Sequence, residues 1–349
     1  MIPYNKIFRM MEDWRKASPP DDPCSNQLKQ ILDNLEYLDR VKFQPFVPTL
    51  YSKHPASFME RFDKWLNNPG LSETQRRDLF EFANHIAFFS FDDFTALFQS
   101  AFTGAITRWC IDQTGIKLTD SNWRQRLDEE RYEKTWFCPV TDSLLISVFH
   151  HVNQIQGKDR KPAFRDLAEF GDWNKVAEHI AQKGYKRLVL LEDFVGTGGQ
   201  SMKAVKWALS NSTFPVLFCP IVVASEAVAK YHDIRSRLQE GRFENAKCPS
   251  FDVQPIFTLS KECFVSDSSL EQSKLMASIK TLAEEVHARL KKDSQGFEKG
   301  PLGWWDEDSP QQGATAVMFS NTPNNTIPLI HHEADSWKPL FPRVARQPL

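Results

Sequence analysis

Apolar positions at helical spacing dominate the first third of the chain. Within 57–66, Phe58, Phe62, Trp65 and Leu66 fall on one face. Ser72, with Gln75 three residues on, has the form of a capping box. It opens a helix carrying Leu79, Phe82, Ala83 and Ile86. Ser90, Phe91, Asp92 and Asp93 repeat the start signal. The stripe that follows is Phe94, Leu97, Phe98, Ala101, Phe102, Ala105 and Trp109, and Gly115 is the expected stop. From about residue 130 short apolar runs alternate with amphipathic stretches. Strands are expected at 136–140, 186–191, 216–224, 253–259 and 315–319. Helices are expected from 143 to 151, over Trp173, Val176, Ala177 and Ile180 to Gly184, and over Met202, Val205, Ala208 and Leu209. Two more run from a Ser225 cap to Gly241 and over 267–292. Such alternation implies right-handed crossovers. The expected fold class is therefore α/β, a mostly parallel sheet flanked by helices, with a helical N-terminal region. The expected division is a helical region at 1–115 and an α/β domain at 116–349. An insertion at 293–312, bearing Trp304 and Trp305, has the length and composition of a lid.

Composition narrows the classes. The chain has 349 residues, 41% hydrophobic and 25% charged, which excludes pervasive disorder, collagen and a membrane bundle. No window approaches the roughly 18 uninterrupted apolar residues of a membrane helix. The first residues are too polar for a signal peptide. Six cysteines without a CxxC pair suggest neither zinc nor a disulfide framework. A cytoplasmic location and no membrane partner are expected. The net charge of −2 removes a whole-molecule polyanion binder. The 27 Phe and 10 Trp residues can bury a large core.

The string from Leu188 to Ser201 carries the most chemistry. An apolar strand runs into Glu192 and Asp193. Gly196, Thr197, Gly198, Gly199, Gln200 and Ser201 follow, and a helix begins. Glycines let an oxyanion approach the backbone amides, and a helix N-terminus adds free N–H groups and partial positive charge. Adjacent carboxylates repel phosphate but accept hydrogen bonds from sugar hydroxyls. Phosphate on the turn and hydroxyls on the acids describe a phosphorylated sugar. Neither a P-loop nor a G-x-G-x-x-G dinucleotide fingerprint is present.

This string resembles the phosphoribosyl pyrophosphate (PRPP) loop of type I phosphoribosyltransferases. The resemblance implies that Glu192 and Asp193 take the ribose hydroxyls and stabilise positive charge at C1, and that residues 196–201 take the 5′-phosphate. Gly196 and Gln200 depart from the hydroxyl residues common there, and Ser201 stands one residue late. By the same resemblance Thr141, Asp142 and Ser143, after an earlier strand, form the pyrophosphate loop; Asp142 equally suits the cap of the helix that follows. Mg²⁺ enters bound through pyrophosphate, with PRPP as substrate. Residues 136–143, the acid-pair string, 321–330 and 337–343 occur together in an order similar to a phosphoribosyltransferase-like effector family of bacterial conflict systems. That family implies an anti-phage, retron-type role. Its implied partners are a reverse transcriptase, its non-coding RNA and multicopy single-stranded DNA (msDNA), and a winged-helix protein.

Other positions also carry candidate chemistry. Asn321, Asn324 and Asn325 suit the edge of an acceptor base, and equally suit turns. Lys158, Arg160 and Lys161 suit a loop closing over PRPP, or a solvated surface. His150-His151 and His331-His332-Glu333 lack a metal-binding spacing, so no protein metal site is expected. Three function classes remain: a phosphoribosyltransferase or nucleotide glycosidase, a non-catalytic ligand sensor, and a scaffolding subunit of a reverse transcriptase–nucleic acid complex.

Overall fold

The computed structural model describes residues 3–17, 23–50, 53–156, 178, 180–265, 274–293, 300–304 and 313–344. The expected helix at Trp173, Val176 and Ala177, the basic stretch at Lys158, Arg160 and Lys161, the start of the 267–292 helix, and 294–299 and 305–312 of the insertion lie outside them. In chain order, helices Pro3–Ala17, Pro23–Val41, Phe58–Leu66 and Glu73–Phe82 precede strand β1 (Ala87–Phe89). A continuous helical run, 91–114, follows, then Trp123–Asp128, a π-helical turn Glu129–Glu133 and β2 (Thr135–Pro139). Helix Ile146–Val152, β3 (Arg187–Val195), helix Gly199–Asn211, β4 (Val216–Ala224) and helix Ser225–Gln239 come next. β5 (Phe251–Val253), β6 (Phe257–Leu259), helix Lys274–Asp293, β7 (Ala316–Met318) and the turn of helix Pro328–His331 complete the order. The fold is α/β, with parallel sheets flanked by helices and a helical N-terminal region. Among the described residues no helix is long and apolar enough to cross a membrane.

Two compact units divide the chain. One joins Met1–Phe91 to Ser260–Leu349, and the other is Asp92–Leu259. The units do not coincide with the expected division at 115. From Ser260 onward the chain rejoins the N-terminal helices, because they supply its hydrogen-bond partners. Within that unit Trp65 Nε1 donates to the Leu329 carbonyl at 2.9 Å. Asn68 Nδ2 donates to the Lys338 carbonyl, and its Oδ1 accepts from the Lys338 amide. Buried Arg61 donates from Nε to Leu340 and from Nη1 to the carbonyls of Pro55 and Ala56. Burial pushes its guanidinium down to about 10, so it stays charged at neutral pH. β1 and β7 pair in parallel, Ala87 opposite Ala316. The strand expected at 315–319 therefore belongs to this two-stranded sheet, apart from the larger one. The helix faces read from the sequence are in place: Phe58, Phe62, Trp65 and Leu66 are buried, and Ser72 and Gln75 form the reciprocal capping box.

The second unit holds the larger sheet, ordered β2-β3-β4 with β5 and then β6 along the outer side of β4, all parallel. β4 has the expected bounds and is buried throughout. The single strand expected at 253–259 is two, because Pro255 between them brings no N–H to a ladder. The 91–114 run contains a π-helical segment, Ala101–Ile106. Its extra residue rotates the stripe, so Ile106 is buried where Ala105 was expected to be. Gly115 ends the run in the left-handed conformation, φ 63°. Ser225 is the first residue of its helix rather than its cap, a position taken by Ala224.

Candidate ribose-phosphate site

β3 continues beyond its expected end at 191 to Val195, so the two acids lie within the strand. Phe194 and Val195 favour extended backbone and pair with Val222 and Val223 of β4. Glu192 and Asp193 are 5% and 4% exposed, so their charge needs donors. The loop after β2 supplies them. The Thr141 hydroxyl lies 2.9 and 3.0 Å from the two Glu192 carboxylate oxygens, and the Thr141 amide donates to Oε2 at 3.1 Å. The Ser143 hydroxyl donates to Asp193 Oδ1 at 2.9 Å, and the Phe194 amide to the same oxygen at 2.8 Å. The Thr141 and Ser143 oxygens are 2.5 Å apart. Thr141 and Ser143 are thus brought onto the acid pair, while Asp142 between them is exposed. Asp142 does not cap helix Ile146–Val152, whose N-cap residue is Leu145 without a side-chain cap bond.

β3 then breaks into the turn. Gly196 and Gly198 are buried, Thr197 and Gly199 half-buried and Gln200 exposed. Gly198 holds φ 88° and is the N-cap of helix Gly199–Asn211, with no side-chain cap bond and no acidic residue in the first turn. A side chain at Gly198 would be strained by that φ, and its Cβ would lie 3.0 Å from the Tyr231 hydroxyl. The Ser201 hydroxyl is used inside the fold, 2.6 Å from the Tyr231 hydroxyl and 3.3 Å from the Gly198 carbonyl oxygen. The acids and the turn lie toward the carboxyl ends of β2 and β3, where open parallel sheets bind ligands.

The PRTase-CE family model matches residues 62–343. The chain belongs to the PRTase-CE family. This is a phosphoribosyltransferase-like family, and the match takes in residues of both compact units. No curated protein and no solved structure matches the chain.

In this PRTase-CE chain the three asparagines belong to the first unit, the acid pair and glycine turn to the second. Asn321 is 6% exposed; its Nδ2 donates to the Val344 carbonyl and its Oδ1 accepts from the amides of Thr322 and Val344. Asn325 Nδ2 donates to the Trp304 carbonyl, and the Asn324 carbonyl accepts from the Trp304 amide. Their visible work is to shape turns. His331 Nε2 lies 3.1 Å from the Thr326 carbonyl oxygen, and His54 Nε2 lies 3.2 Å from Glu333. Among the described residues no group of three or more His, Cys, Asp or Glu side chains could hold a metal ion. The PRTase-CE turn also draws on two residues that no motif marked. Lys230 Nζ donates to the Thr197 carbonyl at 3.0 Å, and the Tyr231 hydroxyl donates to the Gly198 carbonyl at 3.2 Å. Both lie in a crossover helix far along the chain from the turn, so spacing carries no signal of them.

Proposed function

We propose that this protein binds the ribose-phosphate portion of PRPP or of a nucleotide on β3 and the turn after it. One observation carries the reading: two buried acids in β3 lead, through a left-handed glycine, into a helix N-terminus that no side chain caps. The amides of 198–201 take the 5′-phosphate, favoured by the helix dipole. Glu192 and Asp193 exchange the hydroxyls of Thr141 and Ser143 for those of the ribose. The donors gathered there are oxygens, which suit Mg²⁺. With no protein cage for it among the described residues, the ion would arrive on pyrophosphate and neutralise its oxygens when bound. The 141–143 loop is the proposed pyrophosphate contact. As the bond from C1 to pyrophosphate breaks and pyrophosphate departs with the electron pair, positive charge develops at C1; the carboxylates stabilise it, and the acceptor's nucleophilic atom forms the new bond to C1. The work is positioning and electrostatics without a covalent intermediate.

A second reading, ligand sensing without turnover, has its own support. Both oxygens of Glu192 and Oδ1 of Asp193 already accept hydrogen bonds from hydroxyl and amide groups. Swapping one set of hydroxyls for another reports a ligand and requires no chemistry. Either activity suits an effector of a retron-type anti-phage system, with a reverse transcriptase, msDNA and a winged-helix protein as partners.

Calorimetric titration with PRPP and Mg²⁺, together with a pyrophosphate-release assay, tests these readings. Binding is expected, weakened at least about tenfold by Asp193→Asn, the equivalent of roughly 1.4 kcal/mol. Pyrophosphate release would select the enzyme, and binding without release the sensor. Absence of binding by PRPP and by nucleotides would remove both.

A further inference from the structure

The carbonyls of the turn face partners on helix Ser225–Gln239, the crossover from β4 to β5. The Thr197 oxygen accepts from Lys230 Nζ at 3.0 Å. The Gly198 oxygen accepts from the Tyr231 hydroxyl at 3.2 Å and from the Met202 amide at 2.8 Å, with the Ser201 hydroxyl 3.3 Å away. Tyr231 is fully buried, its ring 4.7 Å from that of Phe218, so its hydroxyl has a fixed position. Burial pushes its phenol well above the ordinary value, and it remains a neutral donor.

Across a trans peptide the C=O of one residue and the N–H of the next point in opposite directions. Pinning the Thr197 oxygen toward Lys230 turns the Gly198 N–H the other way, and pinning the Gly198 oxygen toward Tyr231 does the same for the Gly199 N–H. An ammonium on the carbonyl also polarises that peptide and makes its N–H a stronger donor. Thr197 and Gly198 are half-buried and buried, which strengthens the effect.

We propose that Lys230 and Tyr231 are positioning residues that preset the Gly198 and Gly199 amides to face the phosphate of the ligand. This rests on the ribose-phosphate reading and adds to it a part played by a different crossover. Neither side chain need touch the ligand. Lys230 acts through the 197–198 peptide, and Tyr231 through the 198–199 peptide with Ser201 as its second anchor.

The test is PRPP affinity by calorimetry, with the glycine amides followed by NMR of [¹⁵N]glycine-labelled protein. Lys230→Met should weaken PRPP about tenfold, as loss of one charge-assisted bond to the turn would. Lys230→Arg should restore most of it. Tyr231→Phe keeps the ring against Phe218 and should weaken PRPP about threefold through loss of one neutral hydrogen bond. In both weakening variants the Gly198 and Gly199 resonances of the free protein should shift, and their response to PRPP should shrink. Should Lys230→Met fold poorly, Tyr231→Phe decides alone. Wild-type affinity and unmoved glycine resonances in both variants, with Asp193→Asn still weakening PRPP, would overturn the inference and leave the ribose-phosphate reading standing. Wild-type protein that does not take PRPP at all would overturn both.

Discussion

Gly198 is the residue on which the turn pivots. Its φ of 88° strains any other residue, and the Tyr231 hydroxyl, 3.0 Å from a would-be Cβ, would have to give way by a few tenths of an ångström. Gly198→Ala should cost about 1–2 kcal/mol of stability from the backbone conformation alone, read as a lowered urea midpoint at unchanged slope. Thr141 is the second critical residue, because its hydroxyl lies against both oxygens of a buried carboxylate. Thr141→Val keeps the shape and removes the donor, leaving Glu192 its bond from the Thr141 amide. A loss of about 1–3 kcal/mol is expected, and Thr141→Ser should recover it in the same denaturation experiment. At this scale the sequence is readable where chemistry is concentrated in a short string. Glu192, Asp193 and Gly198 stand out as candidates in that way. Lys230 and Tyr231 do not, because a lysine and a tyrosine in an amphipathic helix look like any others until the helix is docked.

The elements that hold the site begin at the opposite ends of β2 and β3. There Glu130 of the Glu129–Glu133 turn pairs with Arg187, the first residue of β3, and with Lys134 at 3.1 Å. Thr135 and Arg187 are register partners, so the ion pair sets the alignment that later brings Thr141 onto Glu192. Burial alone would raise the Glu130 carboxyl, but the hydrogen bonds and charges of Arg187 and Lys134 hold it below its ordinary 4.5. A depressed folded-state value means stability that is present above the unfolded value and lost as pH falls through the folded one. Wild-type protein should therefore be more stable than Glu130→Gln at pH 7, with the gap narrowing below about pH 4.5. Urea midpoints across that range check the sign. Element types were legible from periodicity, and β4 is found with its expected bounds. Boundaries failed where backbone chemistry overrode the pattern: Pro255 split one strand, and a π-helical segment rotated one stripe. The three residues of β1 are too few to show a period between two helices.

For the molecule as a whole, the α/β class followed from alternation, but the division into units did not. A chain that leaves a unit and returns to it is set by long-range partners such as Trp65 with Leu329 and Asn68 with Lys338. No local pattern of residues encodes those pairings. The PRTase-CE match spans 62–343 and takes in residues of both units. Ligand binding is nonetheless proposed for one small region of the second, where acids and amides converge. A crystal structure of the protein grown with PRPP and Mg²⁺ tests this directly. Ribose hydroxyls are expected on Glu192 and Asp193, released from Thr141 and Ser143, with the 5′-phosphate on the amides of 198–201. Ligand density elsewhere, with the Thr141–Glu192 and Ser143–Asp193 bonds intact, would contradict it.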